Sequence, residues 1–407
     1  MEPIAGTGKT NPTASECAGA PELSVVIPCL NEADTVEACV RRARSTLEHC
    51  GVAGEVIVAD NGSTDESAAI ASRAGARVVK VAARGYGNAL MGAIAAARGK
   101  YIIMGDADGS YDFAEIPRFL EKLRQGCGLV QGCRMPAGGG AVMSGAMPFL
   151  HRWIGNPLFS GLARRWFRSP IHDVNCGLRG FSKAHFERID QRCTGMEFAA
   201  EMIIKSCLFG ALIAEVPVTL HRDGRRTHPP HLKTIRDGWR TLRFYLLCSP
   251  RRLFFLPGAI LAVLGLIGFA VALPGLRLNG VTFDVHTLLF ASLAVLCGYQ
   301  TILFGMVARR FAIHEGILPD DAELRRLFRS FTLETGLVIA VIALLAGLTL
   351  LGLAVNQWRM VDFGNLNYAH TMRYVVPGAT LTALGFQTII ASFLATLLEL
   401  ADRPARR

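Results

Sequence analysis

Tyr101-Ile102-Ile103-Met104-Gly105-Asp106-Ala107-Asp108-Gly109-Ser110-Tyr111-Asp112 is an apolar run that stops abruptly in two carboxylates one residue apart. The run predicts a buried strand that delivers Asp106 and Asp108 to the carboxyl edge of a sheet, where open α/β sheets bind their ligands. Two close carboxylates repel and raise each other's pKa unless a cation sits between them. Oxygen ligands with no Cys or His nearby suit Mg²⁺ or Mn²⁺, and an ion held this way would neutralise a diphosphate. Taken by itself, the same spacing is equally an acidic turn. The neighbouring segments have to decide.

Upstream, Leu23 to Pro28 is an apolar strand, and a helix is expected from Asn31 onward, with Val36, Val40, Ala43 and Leu47 on one face. Glu55 to Ala59 is a second strand, closed by Asp60-Asn61-Gly62-Ser63-Thr64-Asp65-Glu66, in which Ser63 and Glu66 have the spacing of a capping box. Arg77 to Val81 is a third strand, Gly85 to Arg98 a Gly- and Ala-rich helix, and Tyr101 to Gly105 the fourth strand. This β-α-β-α-β-α-β order implies an α/β, Rossmann-like, mainly parallel sheet with helices on both faces. A dinucleotide fold would carry G-x-G-x-x-G after the first strand. Pro28-Cys29-Leu30-Asn31-Glu32 stands there instead, and Gly85-Tyr86-Gly87 comes too late, which disfavours hydride chemistry.

The carboxyl-terminal part has a different character. The chain of 407 residues is 51% hydrophobic with a mean hydropathy of +0.32, more than a soluble protein needs. The excess lies in four runs, Leu253 to Leu273, His286 to Val307, Gly336 to Val355 and Val375 to Leu398, each near the length that crosses a bilayer core. Arg309, Arg310, Arg325, Arg326 and Arg329 fill the second connection, and Arg403, Arg406 and Arg407 the tail. The first connection offers Arg277, and the third Arg359 with Arg373. The basic loops, and with four crossings the amino-terminal domain, are therefore expected on the cytoplasmic side. Residues 1–22 lack the basic start and apolar core of a signal peptide and are expected to be a disordered lead-in. The 11 Cys show no C-x-x-C pair, which fits reduced thiols acting as small hydrophobes. The net charge of +10 rests on Arg far more than Lys, either for phosphate and anionic membrane or as codon bias in a GC-rich genome. Position has to discriminate. No nucleic-acid partner is expected.

Val26-Ile27-Pro28 with Asn31-Glu32, then Asp60-Asn61-Gly62-Ser63-Thr64-Asp65, the Gly85 to Ala89 loop, and Asp106-Ala107-Asp108-Gly109 occur in an order that resembles a family 2 glycosyltransferase of the GT-A fold. Within that family the chain is most similar, over roughly residues 23 to 250, to the dolichol-phosphate mannose synthase and polyprenyl-phosphate glycosyltransferase group. The resemblance implies that Pro28, Asn31, Glu32, Asp60 and Gly85 bind the donor nucleotide, with Asp60 on the base, and that Asp106 and Asp108 hold Mg²⁺ or Mn²⁺ on its diphosphate. Gly128 to Arg134 resembles the family strand that ends in a basic residue, so Arg134, Arg152 and Asn156 are implied ligands of a lipid phosphate, although Asn156 stands where the family often has Ser. Asp173 in Asp173-Val174-Asn175-Cys176-Gly177-Leu178-Arg179 is implied near the reacting centre, with Arg179 either there or in a packed structural pair. Glu197 and Glu201 share a helix face at i,i+4 spacing, for either helix-start electrostatics or the active site. His221 to Thr227 resembles the Arg-x-Gly-x-Ser loop, which makes Arg222 and Arg225 candidate clamps on a diphosphate or lipid phosphate.

His231 to Arg252 mixes aromatic and basic residues in the manner of a helix lying in the membrane interface. The expected organisation is a lead-in over 1–22, a catalytic domain over 23–230, juxtamembrane helices over 231–252 and a four-helix membrane domain over 253–407. The four helices read as an anchor and lipid guide, with Gly298, Gly305, Gly347 and Gly352 allowing close contact. The expected activity is inverting transfer of a hexose, mannose from GDP-mannose or glucose from UDP-glucose, to a polyprenyl phosphate, by a protein of the inner membrane that is monomeric or oligomeric. One alternative is a processive polysaccharide synthase, whose Gln-x-x-Arg-Trp motif is not matched by Asp237-Gly238-Trp239-Arg240. The other is a non-catalytic protein that senses nucleotide sugar and transports glycolipid.

Overall fold

The computed structural model describes residues 20–225, 234–278, 280–320 and 333–401 and divides into two units, Met1–Tyr245 and Leu246–Arg407. Most of the expected lead-in, together with Arg226, Thr227, Lys233, Arg325, Arg326, Arg329, Arg403, Arg406 and Arg407, lies outside the described residues.

In the first unit the apolar runs form β1 (Leu23–Cys29), β2 (Gly54–Asp60), β3 (Arg77–Lys80) and β4 (Tyr101–Met104), joined by α1 (Val36–His49), α2 (Ser67–Arg73) and α3 (Tyr86–Ala96). Next come α4 (Ile116–Arg124), β5 (Leu129–Cys133), β6 (Ala141–Val142), α5 (Asn156–Phe167), β7 (Arg179–Ser182), α6 (Lys183–Ile189), α7 (Phe198–Leu208), β8 (Ile213–Pro217), β9 (Thr219–Leu220) and α8 (Thr234–Leu247). Among the described residues seven strands make one sheet in the order β3-β2-β1-β4-β7-β5-β8. The first four pair in parallel as expected, whereas β7 enters antiparallel between β4 and β5. Alternation sets the layers. Leu23, Val25 and Ile27 of β1, Val58 of β2 and Ile103 of β4 share one core cluster with Val36 and Val40 of α1 and Phe119 and Leu123 of α4. The helix α3 packs on β1 and β2 and α6 on β7, with α7 against α3 and α6. The register sets Cys29 beside Asp60 and Val26 beside Met104, so the ends of β1, β2 and β4 open on one edge.

In the second unit, among the described residues, four helical stretches are long and apolar enough to cross a bilayer: Arg251–Ala272, Val285–His314, Leu333–Met360 and Tyr368–Leu398. The first contains α9 (Leu256–Ala272), and the others are α10 (Val285–His314), α11 (Leu333–Met360) and the core of α12 (Tyr368–Ala401). The helix α9 packs along α10, and α11 along α12. A side chain at Gly298 would strike the Ala262 backbone, and one at Gly347 the Gly378 carbonyl, so both glycines set the helix spacing. Gly352, expected to do the same, faces open space. Between the two pairs, Ser292 meets Thr380 at 2.7 Å and Tyr299 meets Thr388 at 2.6 Å.

Two loops at the open edge of the sheet are clasped together, which corrects the expected helix start and capping box. Asn31 has φ of 58° and α1 begins only at Val36. The backbone N–H groups of Asn31, Glu32 and Ala33 donate to Ser63 Oγ, Ser67 Oγ and Asp65 Oδ2 at 3.0, 2.8 and 3.2 Å, and Thr64 N donates back to Asn31 Oδ1 at 2.8 Å. Ser63 is thereby engaged across the loops, and Glu66, not Ser63, is the residue that precedes α2.

A second constraint is buried beside the edge. Asp173, fully buried, accepts from Arg134 Nε at 2.7 Å, from Arg134 Nη2 at 2.8 Å and from the Arg134 backbone N–H at 3.0 Å. This fixes the segment ahead of β7 to the end of β5. Removing one partner of a buried pair leaves an uncompensated charge, a loss of about 3–5 kcal/mol. The expected outcome is that Asp173→Asn lowers the melting temperature of the purified protein by several degrees. Glu37→Gln, which removes the exposed ion pair between Glu37 and Arg41, is expected to change stability by less than about 1 kcal/mol. Equal effects in thermal unfolding would contradict the structural weight given to the buried pair.

Candidate functional site

The strand ends and the loops beyond them enclose a cavity of about 670 Å³ within the first unit. Its wall includes Pro28, Glu32, Gly85, Asp106, Asp108, Arg134 and Arg225, so seven of the residues implied by motif converge. A smaller cavity of about 210 Å³, sharing Arg134, Met147, His151 and Asn175 with the first, adds Asn156, whose Oδ1 accepts from Asn175 Nδ2 at 2.6 Å.

Asp106 and Asp108 stand where β4 gives out. Tyr86 at the start of α3 donates its hydroxyl to Asp106 Oδ1 at 3.0 Å, and the Ser110 backbone N–H donates to Asp108 Oδ1 at 2.9 Å. Burial, then the neighbouring Asp108 charge, pushes the Asp106 carboxyl up to about 6, against the Tyr86 hydrogen bond and the Arg225 charge. That is the electrostatic condition a bound cation relieves. Among the described residues no group of three or more His, Cys, Asp or Glu is placed to hold a metal. A pair of carboxylates that leaves the remaining positions to water and substrate phosphate nevertheless fits Mg²⁺ or Mn²⁺.

Arg225 ties the two acidic loops together. Its Nε and Nη2 donate to Glu32 at 2.7 to 3.0 Å, while Nη1 lies 3.3 Å from Asp108 Oδ2 and 3.5 Å from Asp223 Oδ2. Burial weakens its charged form, but the Glu32 hydrogen bonds and the Asp108, Glu32 and Asp223 charges more than offset this and raise its pKa. The backbone of the same loop is pinned to the Asp108 loop, with Gly224 N donating to Asp108 O at 2.8 Å and His221 N to Ser110 O at 2.9 Å.

The Gly85-Tyr86-Gly87 stretch has a packing reason. A Cβ on Gly85 would strike the Thr194 carbonyl oxygen, and one on Gly87 the Cys193 carbonyl oxygen. Thr194 O accepts from Gly87 N at 3.0 Å and Asn88 N at 3.3 Å, occupying donors at the start of α3. That backbone is held in turn by Glu201, buried with Lys205 at 2.9 Å, which accepts from Arg192 N and, at 2.7 Å, Cys193 N. Glu201 therefore supports the site from behind. Glu197 directly precedes α7, with Oε2 4.0 Å from Arg240 Nη1.

Other motif residues are engaged by partners within the protein. Asp173 is not in the cavity wall, and both its oxygens accept from Arg134, which is. Arg134 faces the cavity with its charge already matched. Arg222 donates from Nε to the Ser144 carbonyl at 2.6 Å, and Arg152 lies 5.5 Å from the Trp153 ring centroid; neither lines the cavity. Arg179, fully buried, donates to the Ala199 and Cys176 carbonyls at 2.7 Å, a structural role. Asp60 is buried and not among the lining residues, accepting from Ser63 N at 3.0 Å, and Asn31 serves the loop clasp. Sequence reasoning passed over Asn61, Tyr86, Tyr111, His151 and Asn175 as site residues, all of which line the cavity. Asn61, Tyr86, Tyr111 and Asn175 carried a signal, since each sits inside a quoted stretch.

Among solved structures, glucosyl-3-phosphoglycerate synthase from Mycobacterium tuberculosis, in complex with Mn²⁺, uridine diphosphate and glucosyl-3-phosphoglycerate, is 23% identical with a TM-score of 0.45, covering 57% of this chain and 81% of that one. Residues 24–190 match the family model for glycosyl transferase family 2, and residues 306–399 match the model for the glycosyltransferase family 2 C-terminal transmembrane region. The dolichyl-phosphate hexose transferase of Haloferax volcanii is 29% identical over 198 residues, 48% of this chain and 82% of that protein. The low-salt glycan biosynthesis hexosyltransferase Agl6 of the same organism is 35% identical over 378 residues, 92% of this chain and 88% of that protein. With a likeness that runs through both units, the chain belongs to glycosyl transferase family 2 and is a membrane glycosyltransferase that carries the family's carboxyl-terminal transmembrane region.

Proposed function

We propose that the protein transfers a hexose from a nucleotide sugar, GDP-mannose or UDP-glucose, to a polyprenyl phosphate, with inversion at the anomeric carbon, at the cytoplasmic face of the inner membrane. The observation that carries the reading is the convergence of Asp106, Asp108, Glu32 and Arg225 at one end of a cavity whose wall continues to Arg134 and Asn175. Support also comes from relatives named as hexosyltransferase and dolichyl-phosphate hexose transferase.

An acceptor phosphate has a second pKa near ~6 and is largely ionised at neutral pH, so no strong general base is required. A phosphate oxygen attacks C1 as the bond from C1 to the donor diphosphate breaks, and the electron pair leaves on the diphosphate oxygen. When bound, Mg²⁺ or Mn²⁺ supplies Lewis-acid stabilisation of that departing charge. Asp106 and Asp108 are the residues that would hold it, with Tyr86 and the Ser110 N–H orienting their oxygens. Arg134, kept in place by Asp173, and Asn175 with Asn156 would orient the acceptor phosphate; alignment of this kind supplies much of a displacement's rate.

The helix α8 contributes Thr234, Arg236, Asp237 and Arg240 to the cavity wall and turns Ile235, 88% exposed, and Trp239, 60% exposed, outward. Phe149 and Trp153, beside α8 through the 2.8 Å contact of His151 with Thr234, are 73% and 62% exposed. Apolar and aromatic residues with a basic rim suit the membrane interface.

Incubation with radiolabelled GDP-mannose or UDP-glucose, polyprenyl phosphate and Mn²⁺ should place one sugar per lipid in the solvent-extractable fraction, with loss of label in EDTA. Asp108→Ala and Asp106→Asn should each lower turnover at least about 100-fold while leaving the protein folded. Normal turnover in either variant would remove these carboxylates from the chemistry, and a long polymer would point to a processive enzyme. In nanodiscs containing brominated lipids, the emission due to Trp239, read as the difference between wild type and Trp239→Phe, should be quenched by the lipid; quenching of that difference by aqueous acrylamide instead would take α8 out of the interface.

A further inference from the structure

We propose that Arg225 couples metal binding to nucleotide binding by exchanging partners: its guanidinium bridges Glu32 and Asp108, and a diphosphate draws it off Asp108 as a divalent cation takes its place. This rests on the reading of Asp106 and Asp108 as the metal ligands.

The two ends of the guanidinium are held unequally. Nε and Nη2 make three contacts to Glu32 between 2.7 and 3.0 Å, whereas Nη1 reaches Asp108 Oδ2 at 3.3 Å and Asp223 Oδ2 at 3.5 Å. Glu32 is therefore the anchor and Asp108 the exchangeable partner. The backbone just ahead of it is pinned by the Gly224–Asp108 and His221–Ser110 hydrogen bonds, so the exchange is pictured as a side-chain movement with Glu32 as the anchor.

Charge gives the exchange its direction. Arg225 and Asp108 are each only 13% exposed, so their interaction is weakly screened. A divalent cation arriving alone must compete for Asp108 Oδ2 with a guanidinium already there, and the two positive charges repel at that distance. A diphosphate arriving with the cation offers the Arg fork a better-matched anion, to which it can donate in a bidentate way. The cation frees the fork, and the diphosphate frees the carboxylate. Each ligand thus strengthens the other, and linkage requires the effect to be reciprocal. Arg222, committed to the Ser144 carbonyl, is not part of the exchange.

The test is Mn²⁺ binding to the purified full-length protein, followed by the electron paramagnetic resonance signal of unbound Mn²⁺, with and without UDP or GDP. Arg225→Ala should bind Mn²⁺ alone about tenfold more tightly than wild type, within the usual range of coupling between sites. The gain in Mn²⁺ affinity on adding nucleotide should shrink by the same factor. Arg225→Gln, which can still donate to Glu32, should shift in the same direction and serves if the Ala variant does not fold. Arg225→Lys should stay near wild type for Mn²⁺ alone. Equal or weaker Mn²⁺ binding by both neutral variants overturns the exchange. Asp108→Asn distinguishes the two possible failures: undiminished Mn²⁺ binding there overturns the metal assignment itself, whereas lost binding there, with unchanged affinity in the Arg225 variants, overturns the coupling alone.

Discussion

Carboxylates crowded at a strand end repel one another, and around Asp106 and Asp108 the surrounding structure answers that repulsion. Tyr86 donates to one, the Ser110 backbone to the other, and Arg225 spans from Asp108 to Glu32. The clasp between residues 31–33 and 63–67 leaves the Glu32 side chain for Arg225 while using up its backbone N–H. The acidic edge is thus a set of charges held close by a guanidinium and by oriented dipoles, which is the preorganisation that charge-stabilising active sites need.

Helix starts often receive anions through their unpaired N–H groups. Here the Thr194 carbonyl occupies Gly87 N and Asn88 N, and the two flanking glycines make room for that approach. The positive groups left in the cavity wall are therefore side chains, Arg225 and Arg134 among them, rather than those two backbone donors. The loop that carries Thr194 depends in turn on Glu201 and Lys205, a buried pair well behind the cavity.

Periodicity made much of the architecture legible. The strand-helix alternation up to Asp108 and the four long apolar runs each correspond to an element in the structure, because a buried strand and a membrane-length helix both require uninterrupted apolar sequence. The antiparallel β7 was not legible: Arg179–Ser182 is short, starts with a buried Arg and owes its place to pairing with distant strands. Motif order likewise gathered Pro28, Glu32, Asp106, Asp108, Arg134 and Arg225 into one wall. It could not distinguish a side chain facing the cavity from one bracing it, as Asp173 and Arg222 illustrate, because that depends on partners such as Arg134 and Ser144 far away in sequence.

The hydroxyl contacts inside the apolar unit bear on how it is put together in lipid. Helices α9 and α10 form one intimate hairpin and α11 and α12 another, each brought close by glycine, while Ser292 with Thr380 and Tyr299 with Thr388 fasten one hairpin to the other. Lipid tails solvate Leu and Ile faces as well as a neighbouring helix does, so apolar surface alone gives two inserted hairpins little reason to choose a particular seam. Hydroxyl pairs spaced seven residues apart on α10 and eight on α12 favour one lateral register over its neighbours. The hairpins can then enter the bilayer separately and find each other afterwards, with the seam selected by where the hydroxyls meet.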